Sequence, residues 1–75
     1  MLISLIVLPG TGLRPVQVAE GATLADLAEA EGLSGRQLVL NGQTVPRAQW
    51  ADTTLSDHLV RGAVEVAALQ GSKGN

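Results

Sequence analysis

An apolar segment near the start of the chain constrains the fold more than any other sequence feature. Residues 2–8 read Leu-Ile-Ser-Leu-Ile-Val-Leu, with Ser4 as the one polar side chain, and Pro9-Gly10-Thr11-Gly12 follows. A short run rich in Ile, Val and Leu that stops at turn residues favours a buried strand. The run is shorter than a membrane span and has no positively charged leader, so we expect neither a membrane span nor a signal peptide.

Chain length and composition favour one small domain with an aliphatic core. The chain has 75 residues, is 45% hydrophobic, contains no Phe or Tyr, and has a single Trp50. Without Cys, and with His58 as its one histidine, it offers no disulfide, no thiolate nucleophile and no Cys/His zinc site. We therefore expect one domain over residues 1–69, a polar tail over residues 70–75, and no cofactor or metal.

Charge and nucleophile content argue against two further classes of protein. Five basic and seven acidic residues give a net charge of −2, and the basic residues are scattered along the sequence. Scattered positive charge with one stacking aromatic argues against nucleic-acid binding. Four serines and a lone histidine make a catalytic triad implausible, so we do not expect an enzyme. A chain without cysteine fits the cytoplasm, or an assembly built there.

The clearest local signal predicts a short amphipathic helix over residues 23–31. Thr23 stands three residues before Asp26, the spacing of a capping box. Three apolar positions then recur at helical spacing: Leu24, Leu27 and Ala28. Gly32 follows where helices commonly end in a left-handed residue.

Four further segments favour strands, at residues 14–19, 37–41, 43–45 and 63–69. The first can form a hairpin with residues 2–8, and Asn41-Gly42 is a strong hairpin signal between the second and the third. A helix between two hairpins, followed by a last strand, predicts an α+β fold of the ubiquitin-like β-grasp type. In that arrangement one helix packs across one face of a mixed sheet of four to five strands, with the first and last strands side by side in the middle.

The segment around the Asn-Gly turn resembles a known family. Residues 41–50 read Asn-Gly-Gln-Thr-Val-Pro-Arg-Ala-Gln-Trp, which is similar to the sulfur-carrier proteins of thiamine biosynthesis in the ThiS and MoaD superfamily. The residues that carry the resemblance are Asn41, Gly42, Val45, Pro46, Arg47 and Trp50. The resemblance extends over residues 16–71. It implies a β-grasp fold and, for an active carrier, an adenylating enzyme and a thiazole synthase as partners.

The C-terminal tail departs from the pattern of that family. Its carriers end in Gly-Gly, and the terminal carboxylate is adenylated and then converted to a thiocarboxylate. The corresponding residues here are Gln70, Gly71 and Ser72, so the tail is degenerate. The resemblance therefore implies that an active carrier would be activated at Gly71 after trimming.

The apolar first strand also predicts an interaction surface. One helix covers one sheet face, so the other face should alternate to polar residues, yet residues 2–8 are apolar on both sides apart from Ser4. The sequence does not decide which side of this strand faces the core. We expect a partner-docking face that consists of Ile3, Leu5, Val7, Val39, Ala67 and Leu69.

Two functional hypotheses follow. The first is a non-catalytic interaction module, related to sulfur carriers, that docks its apolar sheet face in a larger assembly such as a virus particle. The alternative is a working sulfur carrier of thiamine or related cofactor biosynthesis, activated at Gly71.

Four conspicuous features have structural as well as functional interpretations. Trp50 is a docking residue or, as we expect, a plug at one end of the core. Arg47 recognises a partner or lies along the Trp50 ring, and we favour the ring. His58 is expected to be a solvated turn residue, and residues 10–12 a hairpin turn rather than a phosphate loop.

Overall fold

The computed structural model describes residues 1–71, which form a small α+β fold. Its regular elements, in chain order, are β1 (Leu2–Leu8), β2 (Gly12–Gln17), α1 (Leu24–Glu31), β3 (Gln37–Leu40), β4 (Gln43–Val45) and β5 (Glu65–Leu69). Two 3₁₀ helices, Arg47–Asp52 and Leu55–His58, connect β4 to β5. The remaining residues of the predicted tail, 72–75, lie outside the described part of the chain.

The five strands form one mixed sheet in the order β2-β1-β5-β3-β4. The first and last strands lie side by side and parallel, with Leu5 opposite Val66, whereas every other pairing is antiparallel. The predicted mixed sheet, with the first and last strands in the middle, is therefore confirmed.

The predicted helix is confirmed together with both of its caps. The Thr23 hydroxyl accepts a hydrogen bond from the Asp26 amide at 3.1 Å, and the Asp26 carboxylate accepts one from the Thr23 amide at 3.0 Å. Gly32 adopts the left-handed conformation with φ 69°, which ends the helix. Leu33 then donates its amide to the Ala28 carbonyl at 2.8 Å, as expected for a glycine-terminated helix.

The strand boundaries differ from the predicted ones at three places. β2 covers Gly12–Gln17 rather than residues 14–19, because residues 19–22 form a turn in which the Ala22 amide bonds the Ala19 carbonyl. β3 ends at Leu40, since Asn41 has φ 48° and already belongs to the turn. β5 starts at Glu65 instead of residue 63, because Val60 and Ala63 exchange hydrogen bonds across a tight turn.

The core lies between one face of the sheet and the layer that contains α1 and the 3₁₀ helices. Within residues 1–71 every buried side chain is apolar, and Trp50 is the one aromatic member. The centre is almost completely shielded and includes Leu5, Leu24, Leu38 and Val66. No α-helix in the described residues is long and apolar enough to cross a membrane.

Candidate docking face

Three of the residues predicted to dock a partner are instead part of the core. Ile3, Leu5 and Val7 are 2%, 0% and 7% exposed and belong to the same buried cluster as Leu24 and Leu27 of the helix. The prediction was wrong for these three because side chains alternate along a strand, and the odd-numbered residues of β1 face α1.

The other three predicted residues lie on the opposite side of the sheet. Val39, Ala67 and Leu69 are partly exposed, while their strand neighbours Leu38 and Ala68 are buried. Their docking role stays a prediction. We call the sheet side away from α1 the open face. It consists of Leu2, Ser4, Ile6, Leu8, Leu13, Pro15, Gln17, Gln37, Val39, Thr44, Glu65, Ala67 and Leu69.

Strand register aligns one apolar row across the middle of the open face. Leu13 lies opposite Ile6, Ile6 opposite Ala67, and Ala67 opposite Val39. Neighbouring strands are about 4.8 Å apart, so these four side chains form a continuous stripe across four strands. We call it the central row. Leu13, at its outer end, is 65% exposed, which leaves a large apolar side chain in water.

Further apolar side chains flank the central row on both sides. Leu8 lies opposite Leu69, and the exposed Leu2 lies at the other end of β1. Glu65 is the single ionisable side chain among the open-face residues. The open face is therefore largely uncharged.

The two sheet edges are poor templates for adding a further strand. Met1 and Val18 exchange hydrogen bonds of 2.9 and 2.7 Å. Hydrogen-bonded and non-hydrogen-bonded pairs alternate along an antiparallel ladder, so the main-chain groups of Leu13, Pro15 and Gln17 point away from β1. Pro15 has no N–H to donate at the centre of this edge. At the other edge, β4 is only three residues long and Pro46 follows it.

The residues that carry the family resemblance are held in structural contacts. Asn41 donates its amide to the Glu65 carbonyl at 2.8 Å and accepts from the Glu65 amide at 2.9 Å through Oδ1. Its side-chain nitrogen donates to the His58 carbonyl. Gly42 completes the turn with φ 88°. Asn41 thus joins the β3–β4 turn to the start of β5 and to the end of the second 3₁₀ helix.

Trp50 is a core residue and not part of an accessible surface. Its ring is 5% exposed, and the indole Nε1 donates to the Val45 carbonyl at 2.9 Å. The Arg47 guanidinium carbon lies 5.6 Å from the centre of that ring, a cation–π distance. Both expected structural interpretations are therefore confirmed, and Pro46 precedes the 3₁₀ helix that places Trp50.

Gly71 occupies a position where no other residue fits without movement. A Cβ atom on Gly71 would lie 2.2 Å from the carbonyl oxygen of Gly35. The segment that leaves β5 therefore passes close to the loop between α1 and β3. This contact explains the glycine on packing grounds alone.

The position of Ser4 is a sequence signal for which side of β1 faces away from the helix. Ser4 has the same parity as Leu2, Ile6 and Leu8, so the one polar residue of the strand marks the open face. The exposed Leu13 and the half-buried Ile6 are the main residues that the predicted docking set lacked.

The described residues contain no cluster of three or more His, Cys, Asp or Glu side chains able to hold a metal ion. A scan of this chain against protein-family models gives no match, and a search of curated proteins gives none either.

Proposed function

We propose that this chain is a non-catalytic interaction module with a ubiquitin-like β-grasp fold, related to ThiS-type sulfur carriers, that docks its open face in a larger assembly. The central row carries this proposal. Leu13, Ile6, Ala67 and Val39 align across four strands, with Leu13 exposed and the other three partly exposed.

The strand order supports the β-grasp assignment. A hairpin, a helix, a second hairpin and a last strand follow in sequence, and the last strand lies parallel to the first in the middle of the sheet. The Asn41–Glu65 hydrogen bonds join the second hairpin to that last strand. Relationship to the sulfur carriers rests on the resemblance of residues 41–50.

The dimensions of the open face fit the centre of an interface. Five strands about 4.8 Å apart, with three side-chain rows about 7 Å apart, cover about 500 Å². A standard interface buries about 800 Å² on each partner. The contact must therefore continue beyond the sheet. The exposed Val60 adjoins the open face, since it lines a shallow cleft with Ser4 and Glu65.

The mode of docking follows from the contrast between the open face and the edges. Pro15 and the short β4 leave little main chain for strand addition. On the open face Leu2, Leu8 and Leu13 are exposed, and the apolar side chains that β3 and β5 contribute are partly exposed. We therefore propose side-chain packing against a partner's apolar surface.

Site-directed crosslinking tests this proposal. A photoreactive amino acid replaces Leu13 on the open face in one variant and the exposed Ala48 of the first 3₁₀ helix in the matched control. We expect one discrete crosslinked protein from the Leu13 position in the source cell, and its loss when Ile6→Asp is added. The same product from the Ala48 position, or its persistence with Ile6→Asp, would overturn the proposal.

A working sulfur carrier is the second candidate function. It is favoured by β5, which lies in the middle of the sheet and leads directly to Gly71. Its test is incubation with an adenylating enzyme, ATP and a sulfur donor, followed by intact mass measurement. A thiocarboxylate at Gly71 would establish the carrier, and a variant with Ser72→Gly and a stop codon after it serves as the positive comparison. Docking to a thiazole synthase would then be tested by the same crosslinking from the Leu13 and Ala48 positions.

A further inference from the structure

One guanidinium nitrogen stands out among the polar atoms of the described residues. Nη1 of Arg36 is shielded from solvent and has no hydrogen-bond partner. Leaving a buried charged donor unsatisfied is costly. Because a water-sized molecule does not reach Nη1 in this conformation, the guanidinium has to turn toward the adjoining cleft before an acceptor there can bind this atom. Arg36 is half-buried and lies between Gly35 and Gln37, the first residue of β3.

A second arginine lines the same cleft. Arg36 and Arg47 both border a cleft of about 290 Å³ whose other lining residues are Ser34, Gly35, Gln37 and Gly71. None of these residues carries a negative charge. The single ion pair found within residues 1–71 joins Arg14 to Glu31, elsewhere in the fold. No carboxylate of the described residues forms an ion pair with either arginine, although Glu29 lines a neighbouring cleft together with Arg47.

Local contacts hold Arg47 in place without using its donors. Its guanidinium lies over the Trp50 ring, and the ring is fixed by the bond from Nε1 to the Val45 carbonyl. A cation–π contact uses none of the arginine N–H groups as hydrogen-bond donors, so they remain able to bind an oxyanion.

The other residues that line the cleft are small or polar. A Cβ atom on Gly35 would meet no atom within 4 Å, so the space above this residue is open. Ser34 and Gln37 add a hydroxyl and an amide, both of which can donate to an oxygen ligand. A group with two negative charges and several acceptor oxygens matches this set better than a single carboxylate does.

We propose that Arg36 and Arg47 form a binding site for a phosphate-class oxyanion beside Gly71, where the chain leaves β5. The site uses none of the central-row residues. It therefore goes beyond the proposed docking function, and the two stand or fall separately.

The test is an amide NMR titration of the full chain with inorganic phosphate near neutral pH, at constant ionic strength. We expect saturable shifts at residues 34–37 and at Gly71. Arg36→Gln and Arg47→Gln should each weaken binding at least about tenfold, which corresponds to about 1.4 kcal/mol. Arg61→Gln, at an exposed turn, is the matched control and should leave the affinity within about twofold.

Two further arms make the result decisive. Arg36→Lys keeps the charge but loses the planar fork, so it should bind phosphate more weakly than the native chain. This variant leaves the Arg47–Trp50 contact unchanged, so its effect is informative even if Arg47→Gln disturbs Trp50. Acetate replaces phosphate in the second arm and should give no saturable shift. Shifts that do not saturate, equal effects of Arg61→Gln and Arg36→Gln, or equal binding of acetate would each overturn the proposal.

Discussion

Asn41 and Glu65 exchange two hydrogen bonds, one through the Asn41 main chain at 2.8 Å and one through its side chain at 2.9 Å. They connect the turn between β3 and β4 to the first residue of β5. Because β5 lies between β1 and β3, this contact fixes the register on which the central row depends.

Substitutions at Asn41 should separate its side-chain contacts from its backbone conformation. Asn41→Gly keeps the favourable φ and the main-chain bond but loses the side-chain bonds to Glu65 and His58, and should lower the free energy of unfolding by about 1–2 kcal/mol. Asn41→Ala also strains the left-handed backbone and should cost about 1 kcal/mol more. Denaturant unfolding measures both values. Equal stability of Asn41→Gly and the native chain would show that the side-chain bonds contribute nothing.

Adjacent substitutions in β1 should distinguish the core face from the open face. Leu5→Asp places a carboxylate in a fully buried site and should unfold the domain, since that cost rivals the whole stability of a small protein. Ile6→Asp should keep the fold at a cost of about 1 kcal/mol. Circular dichroism and thermal melts compare the two. The opposite ranking would mean that the faces of β1 are reversed.

Gly71→Ala should displace the segment after β5 from the α1–β3 loop. The new Cβ cannot remain 2.2 Å from the Gly35 carbonyl oxygen, so the amide signals of Gly35 and Arg36 should shift. Since Gly71 lies after the last strand, the free energy of unfolding should change by less than about 1 kcal/mol. Gly35→Ala, which has open space at its Cβ, is the matched control and should leave the Gly71 signal in place. Unchanged Gly35 and Arg36 signals in Gly71→Ala would contradict the contact.

Replacing Pro15 should make the β2 edge available for strand addition. Pro15→Thr restores an outward N–H at the centre of the edge, and we expect concentration-dependent self-association by light scattering. Gln17→Thr changes the same edge but keeps Pro15, so it should remain as monodisperse as the native chain. Identical behaviour of the two variants would mean that Pro15 does not protect the edge.

The predictable parts of the fold are those that depend on neighbouring residues in the sequence. Thr23, Asp26 and Gly32 determine the helix ends through hydrogen bonds within a few positions. The Asn41-Gly42 turn likewise depends on local backbone preferences. The strand order was predictable because two hairpins and a last strand can be arranged in one sheet in only a few ways.

The side of β1 that faces the helix depends on tertiary packing. Apart from Ser4 both sides of the strand are apolar, so the hydrophobicity of the individual residues did not separate Leu5 from Ile6. The register with β5 settles it, because Ile6 lies opposite Ala67 and Leu5 opposite the buried Val66. The cleft between Arg36 and Arg47 was equally hidden, since loops distant in sequence form it.

The affinity of the crosslinked partner, once purified, for open-face variants tests the docking proposal most directly. Calorimetry compares the native chain, Ile6→Asp and the exposed control Ala48→Asp, after dichroism has shown that all three are folded. We predict that Ile6→Asp weakens binding at least about a hundredfold, as expected for a charge at the apolar centre of an interface, and that Ala48→Asp binds as tightly as the native chain. Equal affinity of Ile6→Asp and the native chain would contradict docking through the open face.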